Sequence, residues 1–151
     1  MPAGCRRLLT SEMSQIIFDA DFDNLDEIRE FVGEAARQVG FSDKDIYAIQ
    51  LAADEASSNI IEHAYAGIEG GKIEIDLNIS DKVLKITMRD QGKSFDPSSV
   101  PEPNIKADLS ERKIGGLGMY LMRKLMDEVS YTTSPEKGNI LIMIKRLGES
   151  G

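Results

Sequence analysis

The feature that most constrains the fold is a change in the spacing of apolar residues near residue 70. Beyond that point, apolar and polar side chains alternate in two runs, which the turn sequence SDK at 80–82 separates. A period of two is typical of strands that bury one face. The pattern therefore predicts an antiparallel hairpin with strands at 72–80 and 83–90. Its apolar positions are Ile73, Ile75, Leu77, Ile79, Leu84, Ile86 and Met88.

Two segments ahead of the hairpin have helical spacing, with apolar residues three or four positions apart. The first predicted helix begins at the cap residue Asn24 and ends at Gly40. The second begins at the cap residue Ser42 and ends at Gly67. Helices of this kind can cover the apolar face of a sheet.

The remaining elements complete the predicted fold. We expect a first strand at 15–21, a polar loop at 96–113, a helix at about 116–127 and two final strands at 128–134 and 139–146. This order predicts an α+β fold. Its architecture is a two-layer sandwich in which a mixed, mostly antiparallel sheet has helices on one face.

Length and composition indicate one globular domain in a chain of 151 residues. Cys5 is the only cysteine, which excludes an internal disulfide and favours a reducing compartment. No apolar run has the length expected of a signal peptide or of a membrane span. We therefore expect a cytoplasmic protein that is not inserted in a membrane.

Negative charge is concentrated in the first part of the chain. The formal net charge is −8, and residues 11–62 hold 13 Asp and Glu against 3 Lys and Arg. Such a segment disfavours nucleic acid and anionic membranes and suits a basic protein partner. The alternative is a solvated helix face, which the charge alone favours.

The second predicted helix carries polar residues at the margin of its apolar face. Glu55, Asn59 and His63 are spaced four apart and therefore form one stripe beside Ala56 and Ile60. A carboxylate and a carboxamide one turn apart can hold a divalent cation and orient an attacking oxygen. Taken alone, the stripe is better explained as a polar helix edge that hydrogen-bonds a loop, since one Glu and one Asn at this spacing are common.

Asp90 lies at the end of a predicted strand, in the same phase as Leu84 and Met88, and so points to the buried face. A buried carboxylate requires a strong donor, such as the exocyclic amine of a purine. Gly92 removes side-chain bulk where a flat ring could approach. The alternative is a turn in which Asp90 accepts from amides of its own loop.

A third cluster, KIGGLGMYLMRKL, places Gly116 and Gly118 at the start of a helix, where free N–H groups favour phosphate. The cluster matches neither a Walker loop nor a dinucleotide fingerprint. It is a weak signal by itself, but the three clusters together supply what a nucleoside triphosphate needs.

Three segments, DEASSNIIEHAY, DQGKSFDP and GGLGMYLMRKLMDEVSY, resemble the N, G1 and G2 boxes of the GHKL (histidine-kinase-like) ATPases. More narrowly, the chain resembles the stand-alone anti-sigma-factor serine kinases. The resemblance implies a Bergerat-type ATPase domain over residues 14–147. Residues 1–13 are then expected to be a disordered extension and residues 148–151 a tail.

The resemblance also implies the chemistry of each box, with ATP and Mg²⁺ as cofactors. Glu55 corresponds to the general base and Asn59 to the Mg²⁺ ligand. Asp90 corresponds to the acceptor of the adenine amine, with Gly92 in the same box. The phosphate turn corresponds to Gly116, Leu117 and Gly118.

Two positions depart from the family pattern. Glu62 stands where many members carry Lys, and Asn139 follows Gly138 where a Thr is common. The first change removes a positive charge near phosphate, and the second removes a hydroxyl near adenine.

The implied function is an ATP-dependent serine-protein kinase that also binds a sigma factor. Its substrate is an anti-anti-sigma partner of the STAS type, and it forms a homodimer. The alternatives are a nucleotide-gated binding module without efficient phosphoryl transfer, and a histidine-kinase catalytic domain.

Overall fold

A computed structural model describes residues 12–94 and 116–148, which fold into one five-stranded sheet and three helices. The strand order is β1-β2-β3-β5-β4, and the four neighbouring pairs are all antiparallel, where a mixed sheet was expected. The strands are β1 (Glu12–Asp19), β2 (Lys72–Ser80), β3 (Val83–Asp90), β4 (Glu128–Ser134) and β5 (Gly138–Arg146).

The central hairpin is confirmed to the residue, because β2 and β3 have the predicted bounds. The first strand differs: β1 runs over Glu12–Asp19 instead of 15–21, so residues 12 and 13 belong to the sheet. The expected loop at 96–113 lies outside the described residues.

The helices are α1 (Leu25–Val39), α2 (Asp43–Asn59) and α3 (Gly116–Leu125). A short 3₁₀ turn, Phe22–Asn24, precedes α1. A π turn, Ile60–Ala64, continues α2 toward Gly67. The segment predicted as one α-helix over 42–67 therefore ends in a wider turn, and such turns are frequent at functional sites.

Two of the four predicted helix-end residues, Ser42 and Gly40, cap their helices as expected. The Ser42 side chain accepts a hydrogen bond from the Asp45 N–H, and Gly40 ends α1 in the left-handed conformation with φ of 102°. Asn24 occupies the cap position of α1 but its side chain does not cap. Its Nδ2 instead donates to the Asp19 carbonyl and ties β1 to the helix.

One face of the sheet and the inner faces of the helices form the core. Its largest fully buried side chains are Ile28, Val32, Ile49, Ile73, Ile75, Leu77, Leu84, Ile86, Met88, Met119, Met122 and Met143. The opposite sheet face carries a hydrogen-bonded network of Gln15, Glu74, Asp76 and Arg89. The structure is thus the predicted two-layer α+β sandwich with helices on one face.

Within residues 12–94 and 116–148, no helix has both the length and the apolar character needed to span a bilayer.

We predict that Ile86→Ala lowers the free energy of unfolding by about 2–5 kcal/mol, because Ile86 is fully buried in the central strand β3 and its loss leaves a cavity. The control Ile68→Ala removes the same atoms from a side chain that is 44% exposed, and we expect a change within about 0.5 kcal/mol. Urea unfolding of both variants measures the difference. Equal losses would contradict the assignment of the core.

Candidate functional site

A cavity of about 260 Å³ lies between α2, α3 and the ends of β3 and β5. Its walls are largely apolar, with a few polar groups, as in sites for small flat ligands. It brings together residues from all three predicted boxes. The lining residues are Ala56, Asn59, Ile60, His63, Ala64, Asp90, Lys93, Ser94, Met119, Met122, Tyr131 and Leu141.

Asn59 is the last residue of α2 and faces this cavity. Its Nδ2 atom is buried and has no hydrogen-bond partner among the described residues. It is the one such side-chain atom in that part of the chain. Buried polar groups are nearly always paired, so an orphaned amide in a cavity wall indicates a position where a ligand binds.

Glu55 lies one turn before Asn59 on α2, is half-buried and does not line the cavity. Among the described residues it has no hydrogen-bond or ion-pair partner. Its neighbour Asp54, by contrast, accepts two hydrogen bonds from Arg29, at 2.9 and 3.1 Å. Of these two adjacent acids, Asp54 is held by an ion pair and Glu55 has no such partner among the described residues.

Asp90 ends β3 and is only 5% exposed, which confirms the predicted buried phase. Its Oδ1 accepts from the Gly92 N–H and from Asn139 Nδ2, both at 2.8 Å. Asp90 therefore accepts from an amide of its own loop, as the alternative interpretation predicts. The same residue also lines the cavity. Burial raises the pKa of Asp90, and the hydrogen bonds from Asn139 and Gly92 oppose that rise.

Gly92 also has a packing role that the sequence does not predict. A Cβ at this position would lie 2.3 Å from the Ala64 carbonyl oxygen. The chain crosses the end of the π turn here, and the Lys93 N–H donates to the same carbonyl at 2.7 Å. The missing side chain thus makes room for the backbone of Ala64.

Two residues that position the site were not predicted for that role. The Tyr65 hydroxyl donates to the Lys72 carbonyl at 2.7 Å and accepts from the Gln91 N–H at 2.8 Å, so it joins β2 to the turn after Asp90. Asn139, which the sequence shows only as a departure from a family pattern, is 2% exposed and bonds Asp90 directly. Both roles depend on long-range contacts that no local sequence pattern indicates.

The third box lies beside the cavity. Gly116, Leu117 and Gly118 form the first turn of α3, and the next residue, Met119, lines the cavity. His63 also lines it, and its Nε2 lies 3.5 Å from an Oε1 atom of Glu62. The Glu62 side chain is 61% exposed and does not line the cavity.

A larger cavity, of about 500 Å³, lies at the other end of the sheet between Gln38, Val39 and the β2–β3 turn. None of the predicted site residues lines it, so its size does not make it the site. In the described part of the chain, no three His, Cys, Asp or Glu side chains cluster in a way that could hold a metal ion.

The fold and the cavity match a known class. The family model of the histidine kinase-like ATPase domain matches residues 18–145, and the chain belongs to this family. Its relatives include the serine-protein kinase RsbW of Listeria innocua, 31% identical over 118 residues that cover 76% of this chain and 74% of the relative. The RsbW of Halalkalibacterium halodurans is 33% identical over 124 residues, 80% of this chain and 74% of the relative.

A crystal structure of the RsbU and RsbW domains of a Mycobacterium tuberculosis protein has the same fold, with a TM-score of 0.63 at 20% identity. The alignment covers 90% of this chain, which spans about a third (32%) of the solved one. Together the comparisons confirm the predicted GHKL ATPase fold and place the chain among the serine-protein kinases.

We predict that Asp90→Asn becomes more stable relative to the wild type as pH rises. Because the pKa of Asp90 is raised in the folded protein, the folded state binds this proton more tightly than the unfolded chain does. Ionisation therefore lowers the wild-type free energy of unfolding as pH rises from the ordinary Asp value through the raised one. Asn does not ionise, so the difference between the variants grows across that window and is constant above it.

Urea unfolding of both proteins over a pH series measures this difference. The exposed substitution Asp81→Asn, in the β2–β3 turn, corrects for the general effect of removing one negative charge. A difference between Asp90→Asn and the wild type that does not change with pH would contradict the raised pKa.

Proposed function

We propose that this chain is an ATP-dependent serine-protein kinase that phosphorylates an anti-anti-sigma partner of the STAS type and binds a sigma factor. The observation that carries the proposal is the meeting of an orphaned buried amide, Asn59, and a buried carboxylate, Asp90, on one cavity. Membership of the ATPase family and likeness to serine-protein kinases support it.

The cavity suits the base of ATP. Ala56, Ile60, Met122 and Leu141 provide apolar walls for a flat ring. Asp90 lies at the same cavity and accepts the exocyclic amine of adenine, which supplies the donor that a buried carboxylate requires. The first turn of α3, formed by Gly116, Leu117 and Gly118, directs free N–H groups toward the phosphates.

Asn59 fits a magnesium ion that arrives with the nucleotide. The amide carries an oxygen, the ligand type that Mg²⁺ prefers. Its Nδ2, which has no hydrogen-bond partner among the described residues, is a donor that a phosphate oxygen can accept from. Mg²⁺ usually takes one or two protein ligands and completes its shell with phosphates and water. When bound, the ion neutralises charge on the transferring phosphoryl group.

Glu55 is the general base. It takes the proton of the partner's serine hydroxyl as the serine oxygen bonds to the γ-phosphorus. The bond from that phosphorus to the β,γ-bridging oxygen breaks, and ADP leaves. The position of Glu55 supports this role, since it is half-buried, one turn from Asn59 and without a partner among the described residues.

The partners are proteins, with no direct role for nucleic acid or membrane. The acidic segment at 11–62 suits a basic docking surface. A homodimer is supported by the outer face of the sheet, where Met13 is 68% and Ile17 is 59% exposed. Because its proposed partners regulate transcription, we expect the protein to act in the cytoplasm.

The test of this function is Glu55→Gln, assayed for ATP binding by calorimetry with Mg²⁺ and for transfer of radiolabelled phosphate to a STAS partner co-purified from the native host. We predict unchanged ATP affinity and a transfer rate that is lower by about 10²–10⁴-fold, because only the base is lost. The control Glu69→Gln alters an exposed Glu in the turn before β2 and should behave like the wild type.

The outcomes separate the alternatives. A wild-type protein that does not bind ATP would overturn the proposal entirely. Binding without transfer by the wild type would leave only the nucleotide-gated binding module. Transfer that survives in Glu55→Gln would remove Glu55 from the role of base.

A further inference from the structure

Two hydrogen bonds join the end of the π turn to the turn that follows Asp90. The Ala64 carbonyl accepts from the Lys93 N–H at 2.7 Å. The hydroxyl of the next residue, Tyr65, accepts from the Gln91 N–H at 2.8 Å. Consecutive residues of one segment therefore bind alternate amides of the other. We call these two bonds the clasp.

The Tyr65 side chain is held at both its hydroxyl and its ring. The hydroxyl donates its hydrogen to the Lys72 carbonyl at 2.7 Å, at the start of β2, so its oxygen remains as the acceptor for Gln91. A Cβ at Gly71 would lie 2.6 Å from the Tyr65 ring, so the ring lies directly against this glycine. Tyr65 is 6% exposed. It therefore forms a fixed support that is anchored on β2.

Each polar wall of the cavity is held within its own element. Asp90 ends β3 and pairs with Asn139 of β5 in the sheet register. Asn59 is the last residue of α2, and the π turn continues from it. Apolar packing of α2 on the sheet brings the walls together but is not directional, whereas hydrogen bonds fix distances and angles. The clasp is thus the directional joint between the two walls.

We propose that Tyr65 is a positioning residue of the nucleotide site, and that through the clasp it sets the spacing between the Asn59 wall and the Asp90 wall. Tyr65 does not line the cavity, so it acts through Gln91 without touching the nucleotide. A nucleoside triphosphate has to reach both walls at once. The spacing therefore matters for the whole nucleotide and much less for either half alone. This inference rests on the proposed ATP site.

The test measures the dissociation constants of adenosine, magnesium tripolyphosphate and magnesium ATP by NMR titration, which extends to millimolar affinities. The product of the first two constants, divided by the third, is an effective concentration. It reports how well the protein accommodates both halves of the ligand at once. Tyr65→Phe removes only the hydroxyl and leaves the Gln91 N–H without its acceptor. We expect the effective concentration to fall by about five- to tenfold, the effect of one hydrogen bond.

The two halves should each bind Tyr65→Phe as they bind the wild type. Asp90 keeps its hydrogen bonds from Asn139 and Gly92, so the wall for the base is unchanged. Asn59 keeps its place at the end of α2. A selective loss of this kind is not expected from a general loosening of the fold, which weakens every ligand.

Gly71→Ala tests the same support without changing Tyr65. The added methyl group meets the ring, which then has to move. The φ of Gly71 is not positive, so its backbone accepts alanine. We expect the same selective loss, and this variant decides the matter if Tyr65→Phe does not fold. The matched control Tyr47→Phe removes the hydroxyl from a side chain of α2 that is 67% exposed and should leave all three affinities unchanged.

Each result bears on a different claim. Failure of the wild type to bind magnesium ATP would overturn the ATP site itself. A wild type that binds it, with the same effective concentration in Tyr65→Phe, would overturn the role of Tyr65 while leaving that site intact. Equal losses of affinity for all three ligands would show that the hydroxyl only maintains the fold and would also contradict the proposal.

Discussion

The site depends on one backbone contact, the hydrogen bond from the Lys93 N–H to the Ala64 carbonyl. This bond holds the turn after β3 against the end of the π turn, and the absence of a side chain at Gly92 permits the approach. Asn59 lies on one side of the crossing and Asp90 on the other. Two polar groups that are distant in sequence therefore face the same cavity.

The two polar groups at this crossing, Asp90 and Asn59, differ in how well their burial is compensated. Asp90 is buried but has two protein donors, so its carboxylate is partly compensated. Asn59 has an amide end that lacks any partner among the described residues. A buried amide without a partner costs free energy, and a ligand that accepted its hydrogen bond would offset that cost. Local conflicts of this kind are expected at functional sites and are rare elsewhere.

Much of the fold could be predicted from local patterns. The bounds of β2 and β3 were predicted to the residue. The short turn and the alternation of apolar residues allow only one strand register that buries all of the apolar side chains. Ser42 and Gly40 marked helix ends through cap chemistry. The π turn was not predictable, since the apolar positions Ile60 and Ala64 fit an α-helix equally well.

The site was predicted in part. The buried phase of Asp90 follows from strand alternation, and Asn59 follows from helical spacing. Asn139 and Tyr65 could not be assigned a positioning role, because their partners are fixed by the register across three strands and by a chain crossing. The close packing of Gly92 against Ala64 could not be predicted either, because the sequence does not show that Ala64 passes beside it.

The two helices at the cavity present opposite ends to it. The end of α2 and its π turn directs carbonyl oxygens, and hence partial negative charge, toward the wall that contains Ala64. The start of α3 directs amide hydrogens, and hence partial positive charge, from Gly116. Met119, in the first turns of α3, lines the cavity, so this positive helix end lies beside it. A molecule that carries one anionic group is therefore favoured with that group beside the start of α3.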